Sequence, residues 1–156
     1  MKIAAGSDHA GLPLKKKLVG YLEALGHDVE DLGTHSEASV DYPDYGFAVG
    51  RLVASGGAER GVVVCGTGVG ITIAANKVPG VRAGVATDVF TARLMREHND
   101  ANVIGFGARV TAAEFAEAML DVFLSTPFAG GRHAHRTEKL NQGPPAETPP
   151  NPEEPR

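Results

Sequence analysis

The chain has no tryptophan, only three tyrosines, and a single cysteine among its 156 residues. One thiol cannot form an internal disulfide, so the fold must rest on core packing, and a reducing cytosol is the simplest compartment. No apolar run approaches the roughly 20 residues needed to cross a bilayer. Met1-Lys2 leads straight into a strand-like run, so no secretory leader is expected there. An excess of positive charge is also missing: 15 lysines and arginines against 19 acids give a formal net charge of −4. That argues against a general basic field for nucleic acid or an anionic membrane, so an anionic ligand must be met by a local site. No Lys-Ser or Lys-Thr follows a glycine loop, which argues against nucleoside triphosphate hydrolysis.

Glycine, by contrast, is abundant at 20 residues, with hydrophobic content at 42% and charged content at 22%. These values fit one soluble domain with a real core. The glycines lie between periodic segments, which suits tight strand-to-helix turns. Lys2–Ser7 reads as a short buried strand, and Pro13 suits the first turn of the helix that follows. Leu14, Leu18, Tyr21, Leu22 and Leu25 form its apolar face, with Lys15, Lys16 and Lys17 mainly on the other side and Gly26 as the stop. His27–Leu32 is a more polar strand, residues 33–43 a loop, and Tyr45, Ala48, Val49, Leu52 and Val53 mark a second helix. Val62-Val63-Val64 is a strand buried on both faces, followed by a short helix from Gly70 to Asn76. Val81–Ala86 is a fourth strand, Asp88 caps a helix over 89–98, and Asn102–Phe106 is a fifth strand. Thr111-Ala112-Ala113-Glu114 has the form of a capping box for a helix with Phe115, Met119, Val122 and Phe123 on one face. A last helix spans about 131–140. Alternating strands and helices predict an α/β fold: a five-stranded parallel sheet with helices on both faces, plus the C-terminal helix. From Gly143 to Arg156 there are six prolines in fourteen residues. This tail is expected to be a disordered extension of a single domain over 1–142.

In such sheets ligands bind beyond the carboxyl ends of the strands. Asp8-His9, Cys65-Gly66-Thr67, Asp88 and Arg109 all follow strands. Cys65 sits at the lip of Gly66-Thr67-Gly68-Val69-Gly70, whose N–H groups suit an anion or a developing enolate. A thiol there is expected to gain thiolate character and serve as base or nucleophile; its plain alternative is a small buried hydrophobe. His98 and Asn99 read either as a helix C-cap pair or, for His98, as an acid–base group. His9 reads as a turn residue satisfied by Asp8, or as functional. Arg132 and Arg136 share a helical face by their i, i+4 spacing and either clamp a phosphate or form a solvated basic face. His133-Ala134-His135 does not make a metal site, since i and i+2 diverge on a helix and no partner set completes a zinc pattern. A thiol, one or two histidines, an N–H nest and an arginine pair together suit proton transfer on a small sugar phosphate.

Several stretches carry a more specific signal. They are Gly6-Ser7-Asp8-His9-Ala10-Gly11, Asp41-Tyr42-Pro43 and Cys65-Gly66-Thr67-Gly68-Val69-Gly70-Ile71. Ala74-Ala75-Asn76-Lys77, Arg96-Glu97-His98-Asn99-Asp100, Gly105-Phe106-Gly107-Ala108-Arg109 and Gly130-Gly131-Arg132-His133 follow in order. With these the chain resembles the type B ribose-5-phosphate isomerases, in the family that also holds the galactose-6-phosphate isomerase subunits. The resemblance covers residues 1 to about 142. It implies a Rossmann-like sheet and a homodimer or dimer of dimers, without metal or organic cofactor. It makes Cys65 the base that shuttles a proton between C1 and C2. Some relatives carry serine there and use a glutamate a few residues on; here Thr72 and Ile73 stand where that glutamate would fall.

The same resemblance gives Thr67 and the N–H groups of Gly66, Gly68 and Gly70 to the enediolate. It gives His98, with Asp8 and Thr67, to ring opening. His9, Arg132 and Arg136 fall to the phosphate, and Asn99 and Arg109 to further substrate contacts. It also implies a site shared between subunits, with Cys65 from one and His98, Asn99, Arg132 and Arg136 from the other. The expected reaction interconverts ribose 5-phosphate and ribulose 5-phosphate. The alternatives are the same chemistry on allose 6-phosphate or on a tetrose 4-phosphate such as erythrulose 4-phosphate, a non-catalytic partner subunit, and a nucleotide-binding module.

Overall fold

A computed structural model of the chain describes residues 1–144. Eleven elements alternate along it: β1 (Lys2–Ser7), α1 (Leu12–Ala24), β2 (Asp28–Asp31), α2 (Tyr42–Ala54), β3 (Arg60–Cys65), α3 (Val69–Asn76), β4 (Ala83–Val85), α4 (Val89–Glu97), β5 (Val103–Gly107), α5 (Ala113–Ser125) and α6 (Arg132–Gln142). The strands form one parallel sheet in the order β2-β1-β3-β5-β4. The Rossmann-like α/β architecture expected from the alternating pattern is therefore present. The proline-rich tail expected from Gly143 onward lies, apart from its first two residues, outside the described residues.

The period-two alternation of β3 divides the core. Val62 and Val64 face one side with Ile3, Ile104 and Phe106, where α1, α4 and α5 bring Leu18, Leu22, Met95, Met119 and Phe123. Val63 and Cys65 face the other, against Val49 and Val53 of α2 and Ile71 and Ala75 of α3. Each fully buried aliphatic or aromatic side chain contributes about 1.5–3 kcal/mol. The chain leaves β1 toward β2 on one face and reaches β3 across the other. The topological switch point therefore lies between β1 and β3, where α/β sheets open a crevice.

Four local expectations need correction. Lys15 is fully buried on the apolar face of α1, beside Leu14 and Leu18, instead of joining Lys16 and Lys17 outside. Its Nζ pairs with Asp31 Oδ1 at 2.5 Å and donates to the Thr34 carbonyl at 2.9 Å. Leu25 is exposed, because α1 ends at Ala24 and the chain turns at Gly26 with φ +84°. The capping box does not form. Thr111 N–H is engaged by Gly107 O in the turn after β5, so Ala112 takes the cap position without a side-chain bond. The buried face of α5 is accordingly Ala116, Met119, Leu120 and Phe123, with Phe115 70% exposed. β4 is also shorter than 81–86. The Asn76 side-chain amide takes both the N–H and the C=O of Ala83, at 2.8 Å each, in the place a sixth strand would occupy.

The Asp88 cap does form, accepting from Thr91 N–H at 2.7 Å and from the hydroxyls of Thr91 and Thr87. Those bonds hold its carboxyl below the ordinary aspartate value. No helix among the described residues is long and apolar enough to cross a membrane.

Candidate active site

The carboxyl ends of β1 and β3 meet at the switch point. Asp8 N–H donates to Val64 O at 3.3 Å, and Asp8 Oδ1 accepts from Gly11 N–H at 2.8 Å, which closes the turn after β1. Gly11 has no room for a side chain: a Cβ would stand 2.4 Å from Val64 O. This close approach presses the Asp8 turn against the Cys65 turn.

Cys65 is 4% exposed, the last residue of β3 and part of the core beneath α2 and α3. Its Sγ accepts from Gly68 N–H at 3.2 Å. Gly68 makes that bond as the N-cap of α3 in the left-handed conformation, φ +80°, with Phe106 and Gly107 filling the space a Cβ would need. The first N–H groups of a helix have no acceptor inside the helix. Here Gly68 N–H is spent on the thiol, while Val69 N–H lies 3.4 Å from Thr67 Oγ1. Thr67 itself is exposed at the tip.

Two further side chains cover this turn. Arg109 follows β5, and its guanidinium lies over Gly66, 3.3 Å from where a Cβ would be. The Tyr42 ring lies over Gly70 in the same way, at 2.7 Å from the corresponding point. Tyr42 lies in the matching stretch Asp41-Tyr42-Pro43, and the resemblance gives it no site role. Its signal is its place at the first position of α2, whose N-terminus points at the same edge. Of the two readings of His9, the one that has it satisfied by Asp8 does not hold; its Nδ1 accepts from Val40 N–H at 3.2 Å, across the loop that precedes α2.

The remaining candidates lie elsewhere. His98 is the C-cap of α4, and a helix that starts beyond the carboxyl end of β4 finishes at the amino edge of the sheet. The segment beside it is tied to that edge: Asn102, just before β5, accepts from Gly61 N–H of β3. Five-residue β5 sets the two edges about 16 Å apart. Asp100, with φ +45°, clamps Arg96 through Oδ1 and Arg82 through Oδ2, each at 2.8 Å. Arg82 also donates to the carbonyls of Asn99 and Asp100, and to Asn141 near the end of α6.

His98 stacks on His133 with ring centroids 4.1 Å apart and planes 8° from parallel. His133, in the first turn of α6, is 9% exposed. Burial, and after it the charges of His98, Arg132 and Arg136, hold its pKa below the ordinary histidine value of 6.5. Arg132 Nε lies 3.5 Å from His133 Nε2 and faces it as donor, which fits a neutral ring. Arg132 and Arg136 are exposed on α6.

One chain therefore holds two separated groups. Asp8, His9, Cys65, Gly66, Thr67, Gly68, Gly70, Arg109 and Tyr42 lie at the carboxyl edge, whereas His98, Asn99, Arg132 and Arg136 belong to the other. Asp88 is a helix cap. A cleft of about 400 Å³ lies beside β4 and includes Asn99, Arg82 and Leu140 but not Cys65. Among the described residues no three His, Cys, Asp or Glu side chains converge as metal ligands.

The pattern of the family described as Ribose/Galactose Isomerase matches residues 3–140. The chain is 46% identical over 139 residues to ribose-5-phosphate isomerase B of Escherichia coli strain K12, covering 89% of this chain and 93% of that protein. Ribose-5-phosphate isomerase B of Clostridium thermocellum superposes with a TM-score of 0.90 at 51% identity, over 91% of this chain and 96% of the other. Ribose-5-phosphate isomerase B of Mycoplasma genitalium with bound ribulose-5-phosphate superposes with a TM-score of 0.87 at 39% identity, over 90% and 94% of the two chains.

Proposed function

The chain belongs to the ribose/galactose isomerase family, and from that premise we propose that it interconverts D-ribose 5-phosphate and D-ribulose 5-phosphate through an enediolate. It is a sugar-phosphate isomerase by its relatives, and the pentose is the substrate that the names of those relatives favour. The observation that carries the chemistry is the Gly68 N–H donated to Cys65 Sγ at the head of α3. The N–H that caps α3 is thus turned onto the sulfur, which places Cys65 Sγ against the glycine turn.

In this reading the opened aldose lies with C1 and C2 over Cys65. The thiolate takes the C2 proton, and the electron pair moves into the C1–C2 bond while O1 becomes anionic. Thr67 and those N–H groups of the glycine turn that are not held by the sulfur receive that charge. The thiol then returns the proton to C1, the O2 hydroxyl proton passes to O1, and the carbonyl is left at C2. His98 opens the ring, with Asp8 and Thr67 beside the sugar hydroxyls. His9, Arg132 and Arg136 hold the phosphate, while Asn99 and Arg109 contact the sugar.

The separation of about 16 Å between the sheet edges supports a homodimer whose sites each take Cys65 from one subunit and His98, Asn99, Arg132 and Arg136 from the other. The single cysteine fits work in a reducing cytosol. The direct test is turnover of purified protein on ribose 5-phosphate, allose 6-phosphate and erythrose 4-phosphate. The expected result is highest kcat/KM on ribose 5-phosphate. Preference for either of the others would transfer the chemistry to that sugar, and binding without turnover on all three would remove the reading.

A further inference from the structure

Lys15 has no part in the reaction described, yet it is the one lysine among the fully buried side chains of the core. Its ammonium bonds Asp31 Oδ1 and Thr34 O, and the same Asp31 Oδ1 accepts from Gly33 N–H at 3.0 Å. Residues 33 and 34 are in turn stitched to the last residue of β1: Ser7 N–H donates to Gly33 O and Thr34 N–H to Ser7 O, each at 2.7 Å. The loop then runs exposed from 35 to 39 and is tied again at Val40, whose N–H donates to His9 Nδ1. Two residues later it enters α2 with Tyr42 over Gly70. A buried ion pair is weak as a source of stability, because an apolar residue of similar volume often serves as well. What the pair does supply is direction, since Lys15 fixes where the loop leaves the sheet.

We propose that Lys15, with Asp31, is a positioning residue for phosphate recognition, setting the 33–41 loop so that Val40 N–H fixes the tautomer of His9. An N–H aimed at Nδ1 leaves the neutral ring protonated at Nε2. The ring then carries its N–H donor on the nitrogen opposite that bond, available to a phosphate oxygen. This inference rests on the phosphate role given to His9 above.

The test compares Lys15→Met, His9→Ala and the double variant in the full-length protein. It adds the ¹⁵N spectrum of His9 and thermal melts as a record of folding. Lys15→Met is expected to raise KM for ribose 5-phosphate about tenfold while kcat stays within about twofold. In the His9→Ala background the same substitution should add nothing, because residues acting through one group are not additive. The His9 nitrogens should change from the single Nε2–H tautomer to a mixture. A KM unmoved by Lys15→Met, effects that multiply in the double variant, or an unchanged His9 tautomer would each overturn the proposal. If Lys15→Met alone does not fold, Lys15→Met combined with Asp31→Asn carries the same comparison, since it removes the unpaired carboxylate while the amide oxygen still accepts from Gly33 N–H. If His9→Ala alone leaves KM unchanged, the phosphate role of His9 falls, and the ¹⁵N spectrum by itself decides whether Lys15 positions the ring.

Discussion

The two edges of the sheet carry the two parts of the candidate site and are built from different material. The carboxyl edge is made largely of main chain: Gly11 pressed on Val64, Gly68 in the left-handed conformation, and an N–H aimed at a buried thiol. The amino edge is made of long side chains: Asp100 between Arg82 and Arg96, two stacked imidazoles, and exposed Arg132 and Arg136 on α6. The first kind of construction is preorganised and tolerates almost no added volume. The second is a set of charges at helix ends that can meet a mobile anion. The proposed mechanism puts the base and the enediolate donors on the first kind of surface and the arginine part of the phosphate clamp on the second.

The largest expected effect follows from removing the proposed base. Cys65→Ala should lower kcat by about 10²–10⁴-fold and leave binding of a substrate analogue nearly intact, read by calorimetry. Retained turnover would strip the carboxyl edge of its chemical role. Next comes the clamp. On the proposed phosphate role, Arg136→Ala would remove a charged hydrogen bond of about 1.5–3 kcal/mol, so KM should rise roughly tenfold to a hundredfold with kcat less affected. An unchanged KM would mean that the amino edge does not hold the phosphate.

Gly11→Ala should cost about 1–3 kcal/mol of stability, seen in a denaturant titration, because the new methyl has no space beside Val64. A neutral outcome would show that the carboxyl edge is softer than described. The smallest effect concerns His133. Its folded-state pKa is depressed, so at mildly acidic pH the unfolded chain binds the extra proton more readily than the folded one. Stability should therefore fall as pH drops below about 6.5 toward the depressed value. His133→Phe, which keeps an aromatic ring under His98, should flatten that part of the Tm profile.

Much of this was readable from residues alone. Alternating strands and helices, glycine stops and the Asp88 cap have local causes, and local causes leave local patterns. The positions at the carboxyl edge were also legible, because a parallel sheet brings every strand end to one side. What stayed hidden depends on partners distant in sequence. Lys15 looks like one of three surface lysines until Asp31, sixteen residues on, is placed beneath it. Thr111 and Glu114 match a capping box, but the turn after β5 claims the Thr111 N–H first. Phe115 fits the helical period as well as Ala116 does, and only the orientation of α5 on the sheet decides between them. The separation of His98 from Cys65 was implied only by the resemblance; its physical cause within one chain is the direction of α4, which ends at the edge away from Cys65.

That last separation is the centre of the account, and one measurement tests it. Cys65→Ala and His98→Ala subunits, each carrying a different affinity tag, are co-expressed, and the purified mixture is assayed on ribose 5-phosphate beside each variant alone. In a two-fold dimer with shared sites, a mixed pair holds one site with both groups intact and one with neither. Random pairing should then restore about a quarter of wild-type activity. Activity no greater than that of the single variants would contradict the account and place Cys65 and His98 in separate functions.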